Sequence, residues 1–240
     1  MNIAVIFAGG VGSRMNTKDR PKQFLMVHGK PIIVHTIEYF EYHDEIDGIV
    51  VVCVSDWIPY MEEMKYRFRL DKIGKIVPGG ETGQMSIYNG LKAAQELYGL
   101  EENIVLIHDG ARPFVDETII RAAYQDALEY GASCTAVPVK DTIKVAGEGV
   151  CIADTPDRRL LYAAQTPQTF RISLILQAYE ALTALSPKEI ADMQITDDAM
   201  VVERMLSKQV KLSRGSYENI KVTTPEDLTV AEGILSRRMK

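Results

Sequence analysis

Runs of basic residues are missing from this chain of 240 residues, and its formal net charge is −6. A nucleic-acid partner is therefore not expected, because nothing would neutralise a phosphate backbone along its length. Affinity for phosphate has to be local, built from a few placed Lys and Arg side chains. Long apolar runs are missing too. None approaches the roughly 18 residues of a membrane-crossing helix, so no membrane partner is expected. Cysteine is scarce: Cys53, Cys134 and Cys151 lack C-x-x-C spacing and lie in apolar or strand-like stretches. They read as buried, reduced thiols of a cytoplasmic protein. His28, His35, His43 and His108 show no metal-ligand spacing such as H-x-x-x-H, which argues against zinc. No charged leader or cleavage site is recognisable before the first apolar stretch. Neither a repeat nor a low-complexity linker interrupts the chain, and 46% hydrophobic residues suffice for an ordinary globular core. One domain spanning 1–240 is the simplest organisation.

What is present begins with a glycine loop. The apolar run Ile3-Ala4-Val5-Ile6-Phe7 leads into Ala8-Gly9-Gly10-Val11-Gly12-Ser13-Arg14-Met15, followed shortly by Arg20-Pro21-Lys22-Gln23-Phe24. Without a Cβ, glycine lets backbone N–H groups approach an anion closely. Arg14 and Lys22 add positive charge where a polyphosphate needs it. The loop thus reads as a nucleoside triphosphate cradle over Ala8, Gly9, Gly10 and Gly12. It is not a dinucleotide fingerprint, because Met15 stands where a small residue is required for close helix–strand packing. Nor does the chain hold a G-x-x-x-x-G-K-[ST] loop; Gly29-Lys30 is followed by Pro31.

Apolar runs at Ile49–Val54, Lys75–Val77, Ile104–Ile107 and Ser133–Val139 alternate with helical patterns at Ile32–His43, Trp57–Leu70, Gln84–Tyr98 and Glu117–Tyr130. That rhythm predicts an α/β, Rossmann-like fold, a mostly parallel sheet flanked by helices. Residues 141–165 break the rhythm. Thr142–Val145 and Val150–Ala153 alternate at the strand period around a glycine turn, which predicts a projecting β-hairpin arm, suited to dimerisation or equally to a plain surface excursion. Further helices are expected at Ser173–Leu185, Asp197–Leu206 and from Thr224-Pro225 onward. Late strands are expected at Val210–Leu212 and Asn219–Thr223.

Ligands of open α/β sheets bind beyond the carboxyl ends of the strands. His108-Asp109-Gly110-Ala111-Arg112-Pro113 follows a strand, so Asp109 falls at the same edge as the glycine loop. A lone carboxylate beside a triphosphate suits Mg²⁺, which takes one or two carboxylates plus phosphate oxygens. A purely structural role, with Asp109 capping a turn and pairing with Arg112, fits the same residues. Gly79-Gly80-Glu81-Thr82-Gly83 is a second glycine turn, opening a helix. Its amides, Ser86 and a carboxylate can read the edge of a nucleobase.

The ordered set A-G-G-x-G-S-R-M, P-K-Q-F, G-K-P-I-I-x-H-T, G-G-E, S-I-Y-N-G-L, H-D-G-A-R-P, D-T-I-K, Q-T-P-Q-x-F, T-D-D-A and N-I-K-V-T-x-P-E-D-L spans nearly the whole chain. It resembles the cytidylyltransferases that make CDP-activated polyols. Members serve 2-C-methyl-D-erythritol 4-phosphate in isoprenoid synthesis or ribitol 5-phosphate in teichoic acid and capsule assembly. The resemblance implies that Arg14 and Lys22 hold the phosphates of CTP, with Lys221 against the α-phosphate. It implies that Gly80, Glu81 and Ser86 recognise cytosine and that Asp109 binds Mg²⁺. Arg112, Thr142, Thr166 and Thr196 are implied to contact the polyol phosphate. Arg158, in the arm region, is implied to reach the substrate of a neighbouring subunit, hence a homodimer.

The methylerythritol reading draws on Asp157-Arg158, Ile195–Ala199 and His108–Pro113. The ribitol reading draws on Asp56-Trp57-Ile58 and Arg112-Pro113-Phe114. Position 83, usually arginine in the methylerythritol enzymes, is Gly83, which loosens the turn. A nicotinamide-dependent dehydrogenase is disfavoured by Met15 and by the missing acidic ribose partner. A nucleotide-binding module without catalysis would bind CTP yet release no pyrophosphate.

Overall fold

Strand β1 (Asn2–Ala8) buries both faces of a β-branched run, as a central parallel strand must. The computed structural model describes residues 1–9, 20–100 and 102–238. After β1 come β2 (Met26–Val27), β3 (Lys30–Pro31), α1 (Ile32–Glu41), β4 (Gly48–Cys53), α2 (Ile58–Phe68), β5 (Ile73–Pro78), α3 (Gly83–Tyr98) and β6 (Ile104–Asp109). The chain continues through α4 (Glu117–Tyr130), β7 (Ala132–Pro138), β8 (Val145–Ala146), β9 (Ile152–Asp154) and β10 (Tyr162–Arg171). It closes with α5 (Ile172–Thr183), α6 (Pro187–Asp192), α7 (Asp198–Leu206), β11 (Lys211–Arg214) and α8 (Pro225–Arg238). Gly10, Gly12 and Arg14 lie outside the described residues.

Seven strands form one sheet in the order β11-β7-β10-β6-β1-β4-β5. It is mostly parallel: β1 pairs in parallel with β4 and β6, β4 with β5, and β11 with β7, while β10 runs antiparallel to β6 and β7. Alternate residues feed two cores. Ile3, Val5, Val50, Val52, Val105 and Ile107 pack beneath α3, α5 and α7. Ala4, Ile6, Ile49, Val51 and Leu106 pack beneath α1, α2 and α4. The register sets Phe7 beside Asp109 and Ala8 beside Cys53, and Cys53 beside Pro78. The carboxyl ends of β1, β4, β5 and β6 therefore finish level, and Gly9, the turn at Gly79–Gly80 and Asp109 share one edge.

Helix starts follow ordinary capping chemistry. The Thr82 hydroxyl accepts from Met85 N–H ahead of α3, and the Asp116 carboxylate from Ile119 N–H ahead of α4. Gly131, at φ 84°, ends α4 in the left-handed region, where glycine costs least.

Four expectations need correction. Strand β10 escapes the sequence pattern: Tyr-Ala-Ala-Gln-Thr-Pro-Gln-Thr has no apolar alternation, and its buried Gln165, Gln168 and Thr169 are polar. The side chains of Gln165 and Gln168 find partners on distant segments, so the strand sits deep in the sheet despite its composition. Pro167 is tolerated because the register breaks between Ala164 and Gln168, where no ladder N–H is required. Residues 162–165 accordingly belong to the sheet rather than to the arm. The arm hairpin is shorter than expected, pairing only Val145–Ala146 with Ile152–Asp154. Asn219–Thr223 is not a strand; a single backbone bond, Val222 N–H to the Ala111 carbonyl, ties it across the strand ends at 2.8 Å. Cys151 is exposed on the arm, whereas Cys53 and Cys134 are buried and their thiols are pushed up to about 12 by desolvation.

Candidate active site

Asp109 ends β6 with its side chain 14% exposed, and two cations from different segments converge on it. Lys221 Nζ donates to Oδ1 at 3.0 Å and approaches Oδ2 at 2.9 Å. Arg112 Nε donates to Oδ2 at 3.3 Å. Burial by itself pushes the Asp109 carboxyl up, but the Lys221 ammonium and Arg112 guanidinium outweigh it and hold the group below the usual carboxylate range. At neutral pH Asp109 is an anion facing a partly open lysine.

Lys221 reaches that position because its segment is clamped on both sides. Asn219, fully buried, donates through Nδ2 to the Thr166 carbonyl at 2.8 Å and to Gln165 Oε1 at 3.3 Å. The Asn219 carbonyl accepts from Arg112 at 2.8 Å. Gln165 in turn donates to the Ser216 carbonyl at 2.8 Å. Arg112 is therefore an internal brace as well as an Asp109 partner, the structural role its sequence position also suggested.

Thr166 sits in the irregular stretch of β10 and points at β6. Its hydroxyl accepts from Asp109 N–H at 3.1 Å and lies 3.0 Å from His108 Nδ1. His108 is fully buried, and desolvation lowers its pKa to about 4, so the ring is neutral. Thr166, Asp109 and Lys221 line one pocket with Gln168, Thr196 and Asp198. Asp198 accepts from the Tyr179 hydroxyl at 2.5 Å, and burial raises its carboxyl to about 7.

The second glycine turn closes the same edge. Gly80 N–H donates to Ser86 Oγ at 2.9 Å, and that hydroxyl donates on to the Thr82 carbonyl at 2.8 Å. Ser86 thus braces the turn from a buried position, and Glu81 is exposed at its tip. A Cβ on Gly80 would stand 2.6 Å from Met85 Cβ, so the turn requires glycine. Gly9 approaches equally closely: a Cβ there would meet the Phe7 ring at 2.7 Å and Ser86 Oγ at 3.5 Å. Gly9, at the end of β1, therefore faces Ser86, the brace of the second turn.

Lys22 opens a short 3₁₀ turn over residues 22–24. Its neighbour Gln23, buried, donates to the carbonyl of Ala8, the last residue of β1, at 2.5 Å. Phe24 stacks on Trp57 with ring centroids 4.9 Å apart. These contacts anchor the Lys22 backbone to the mouth of β1.

Two implied residues stand apart. Thr142 and Arg158 are exposed on the arm and do not line the pocket. Arg158 donates to the Lys140 carbonyl at 2.6 Å. Around them the arm exposes Val150 at 89%, Leu160 at 79% and Ile152 at 65%. Sequence reasoning gave no role to Gln23, His108, Gln165, Gln168, Tyr179, Asp198 or Asn219. Gln23, His108, Gln165, Gln168, Asp198 and Asn219 all lie inside the ordered motifs, which was the available signal.

A family model described as 2-C-methyl-D-erythritol 4-phosphate cytidylyltransferase matches residues 2–237. The chain is 45% identical over 240 residues to a ribitol-5-phosphate cytidylyltransferase of Streptococcus agalactiae serotype V, covering 99% of this chain and 96% of that one. It is 44% identical over 236 residues to a 2-C-methyl-D-erythritol 4-phosphate cytidylyltransferase of Clostridium botulinum, covering 98% of each. Among solved structures it is similar to a 4-diphosphocytidyl-2C-methyl-D-erythritol synthase from Anaerococcus prevotii. That match has a TM-score of 0.83 and 31% identity, covering 98% of this chain and 96% of the other.

Proposed function

Because the chain belongs to the 2-C-methyl-D-erythritol 4-phosphate cytidylyltransferase family and is thus a nucleotidyltransferase, we propose that it transfers the cytidylyl group of CTP to a polyol phosphate. The observation that carries this reading is the Lys221–Asp109 pair, drawn together from positions 112 residues apart at the edge shared with Gly9 and the turn at Gly79–Gly80.

A phosphate oxygen of the acceptor attacks the α-phosphorus of CTP. The new P–O bond forms as the bond to the β-phosphate breaks, and pyrophosphate leaves. A phosphate monoester is already anionic near neutral pH, so no general base is required. Positioning and charge neutralisation are what the protein has to supply. Lys221 meets the charge on the α-phosphate, and Lys22 and Arg14 meet the β- and γ-phosphates. Gly80, Glu81 and Ser86 hold the base, and Ala8, Gly9, Gly10 and Gly12 present backbone N–H groups.

The donor set at Asp109 fits Mg²⁺: one ionised carboxylate at the strand end, with room for phosphate oxygens to complete the shell. Among the described residues no cluster of three or more His, Cys, Asp or Glu offers a site made by protein alone. When bound there, Mg²⁺ neutralises charge on the triphosphate. Asp109 would hold it, and Lys221 would turn from Asp109 to the phosphate.

The acceptor is 2-C-methyl-D-erythritol 4-phosphate on the strength of the family model. The streptococcal relative, 45% identical over the full chain, supports ribitol 5-phosphate as the second reading. Thr166 and Thr196 line the pocket where the polyol would lie. Thr142 and Arg158 complete such a site only across a subunit boundary, and the exposed Val150, Ile152 and Leu160 suit burial against a second copy of the arm. A homodimer is therefore part of the proposal. Among the described residues no helix is long and apolar enough to cross a membrane. We assign a cytoplasmic location, supported by three free thiols.

Pyrophosphate release from CTP with each of the two acceptors tests the reading. Turnover with one, lost in Lys221→Ala, supports it; CTP binding without pyrophosphate from any polyol phosphate would reduce the protein to a nucleotide-binding module. Light scattering should give twice the monomer mass, falling to the monomer in Leu160→Asp; a monomeric wild type removes the dimer.

A further inference from the structure

His108 is part of the pocket floor at 0% exposure, and among the described residues each of its ring nitrogens has one polar neighbour. Nε2 is 3.2 Å from the Arg112 carbonyl oxygen, an atom that can only accept, so Nε2 carries the ring proton. Packed 5.1 Å from Phe40 at 0% exposure, with a carbonyl on one nitrogen and a hydroxyl on the other, the ring carries its proton on Nε2 and leaves a lone pair on Nδ1. Thr166 Oγ1, 3.0 Å away, must then donate to Nδ1. The same oxygen accepts from Asp109 N–H, which can only donate. The hydroxyl proton and one lone pair of Thr166 are both committed inside the protein. One lone pair remains for whatever enters the pocket that Thr166 lines.

We propose that His108 is a positioning residue that fixes Thr166 as a pure acceptor, so that this point of the pocket reads a hydroxyl of the polyol and disfavours a phosphate oxygen. The inference rests on the reading of Thr166 as an acceptor-binding residue. A carbinol O–H directed at the remaining lone pair gains a hydrogen bond. A phosphate oxygen, carrying no proton there, would face a second acceptor with none to share. Rotation of the Thr166 hydroxyl, which ordinarily lets threonine serve either role, is blocked by His108. The bound substrate is thereby oriented with a carbinol at Thr166 and its phosphate elsewhere, toward the cations.

Two measurements test this. In ligand-free protein with ¹⁵N-labelled histidine, the His108 ring should show a protonated Nε2 and a bare Nδ1 that shifts in Thr166→Val. An Nδ1–H tautomer overturns the inference whatever the enzyme turns over. In steady-state kinetics, His108→Gln keeps a donor for the Arg112 carbonyl but removes the acceptor facing Thr166. It should raise KM for the polyol phosphate about tenfold, as loss of one oriented hydrogen bond does, with KM for CTP within about twofold. The same substitution made in Thr166→Val should add nothing further. Monodeoxy acceptors should reveal one hydroxyl whose removal costs the wild type about tenfold and the Gln variant little. Equal rises in both KM values, or additive effects in the double variant, would mean that His108 is merely structural. Failure of the acceptor reading looks different: the wild type then turns over no polyol phosphate, while the tautomer still decides the hydrogen-bond direction.

Discussion

The strand-end cluster and the arm are built in opposite ways. Asp109, Lys221, Thr166 and Arg112 come from three distant stretches, which hydrogen bonds to one another and to buried neighbours hold together. Asn219 anchors one segment, Gln165 a second and His108 a third. Thr142 and Arg158 lie instead on a two-rung hairpin region whose residues 141–155 are all exposed. The contrast teaches that one half of the proposed site is preorganised within the chain, whereas the other needs something to pack against. A triphosphate tolerates little misplacement, so its cations sit on a braced floor. An arm that closes over a neighbour has to stay outside its own core.

The sharpest way to break this comparison is to remove a cation from the braced half. Lys221→Ala, like Lys22→Ala, is expected to cut turnover about 10²-fold or more. Steady-state rates with saturating CTP check it, and wild-type kinetics in a folded Lys22→Ala protein would remove that residue from its role. Next comes the brace itself. Asn219→Ala strips two buried hydrogen bonds and should cost about 2 kcal/mol, read in urea unfolding, with a matching loss of activity. An arm residue should behave the other way. Arg158→Ala is expected to lower turnover about tenfold, as loss of one charge-assisted bond does, and to leave the unfolding midpoint within error. If Arg158→Ala destabilises the chain as much as Asn219→Ala does, the two halves are not built differently.

The smallest effect concerns pH. Asp198, raised to about 7 chiefly by desolvation, binds its proton more tightly in the folded chain than in the unfolded one. Its stabilising contribution is complete below the unfolded carboxylate range and is lost as pH rises through about 7. Asp198→Asn, which can still accept from Tyr179, should remove most of the fall in stability that this carboxyl causes between pH 5 and pH 8. An unaltered pH profile in the variant would show that Asp198 is already ionised in the fold.

Much of the frame was legible from residue order. The apolar strands β1, β4, β6 and β7 announce themselves because they are buried on both faces, and α4 because Asp116 and Gly131 mark its ends. Asp109 was legible as chemistry because motif and strand end coincide, and Lys221 from its motif alone. Strand β10 was not, since its buried glutamines are polar and their partners lie 29 to 51 positions away. Asn219–Thr223 looked like a strand because β-branched residues suit any extended backbone. Its lone cross-link to Ala111 could not be read locally.

Residue order alone determined the α/β frame, the two glycine turns and the carboxylate at the end of β6, because periodicity, capping and the freedom of glycine act over a few neighbouring residues. Only the tertiary structure decided that Lys221 meets Asp109, that Arg112 is a brace and that the Thr166 hydroxyl points at His108. Those bonds join groups 112, 107 and 58 positions apart, and their directions exist only once the packed sheet has brought donors and acceptors face to face.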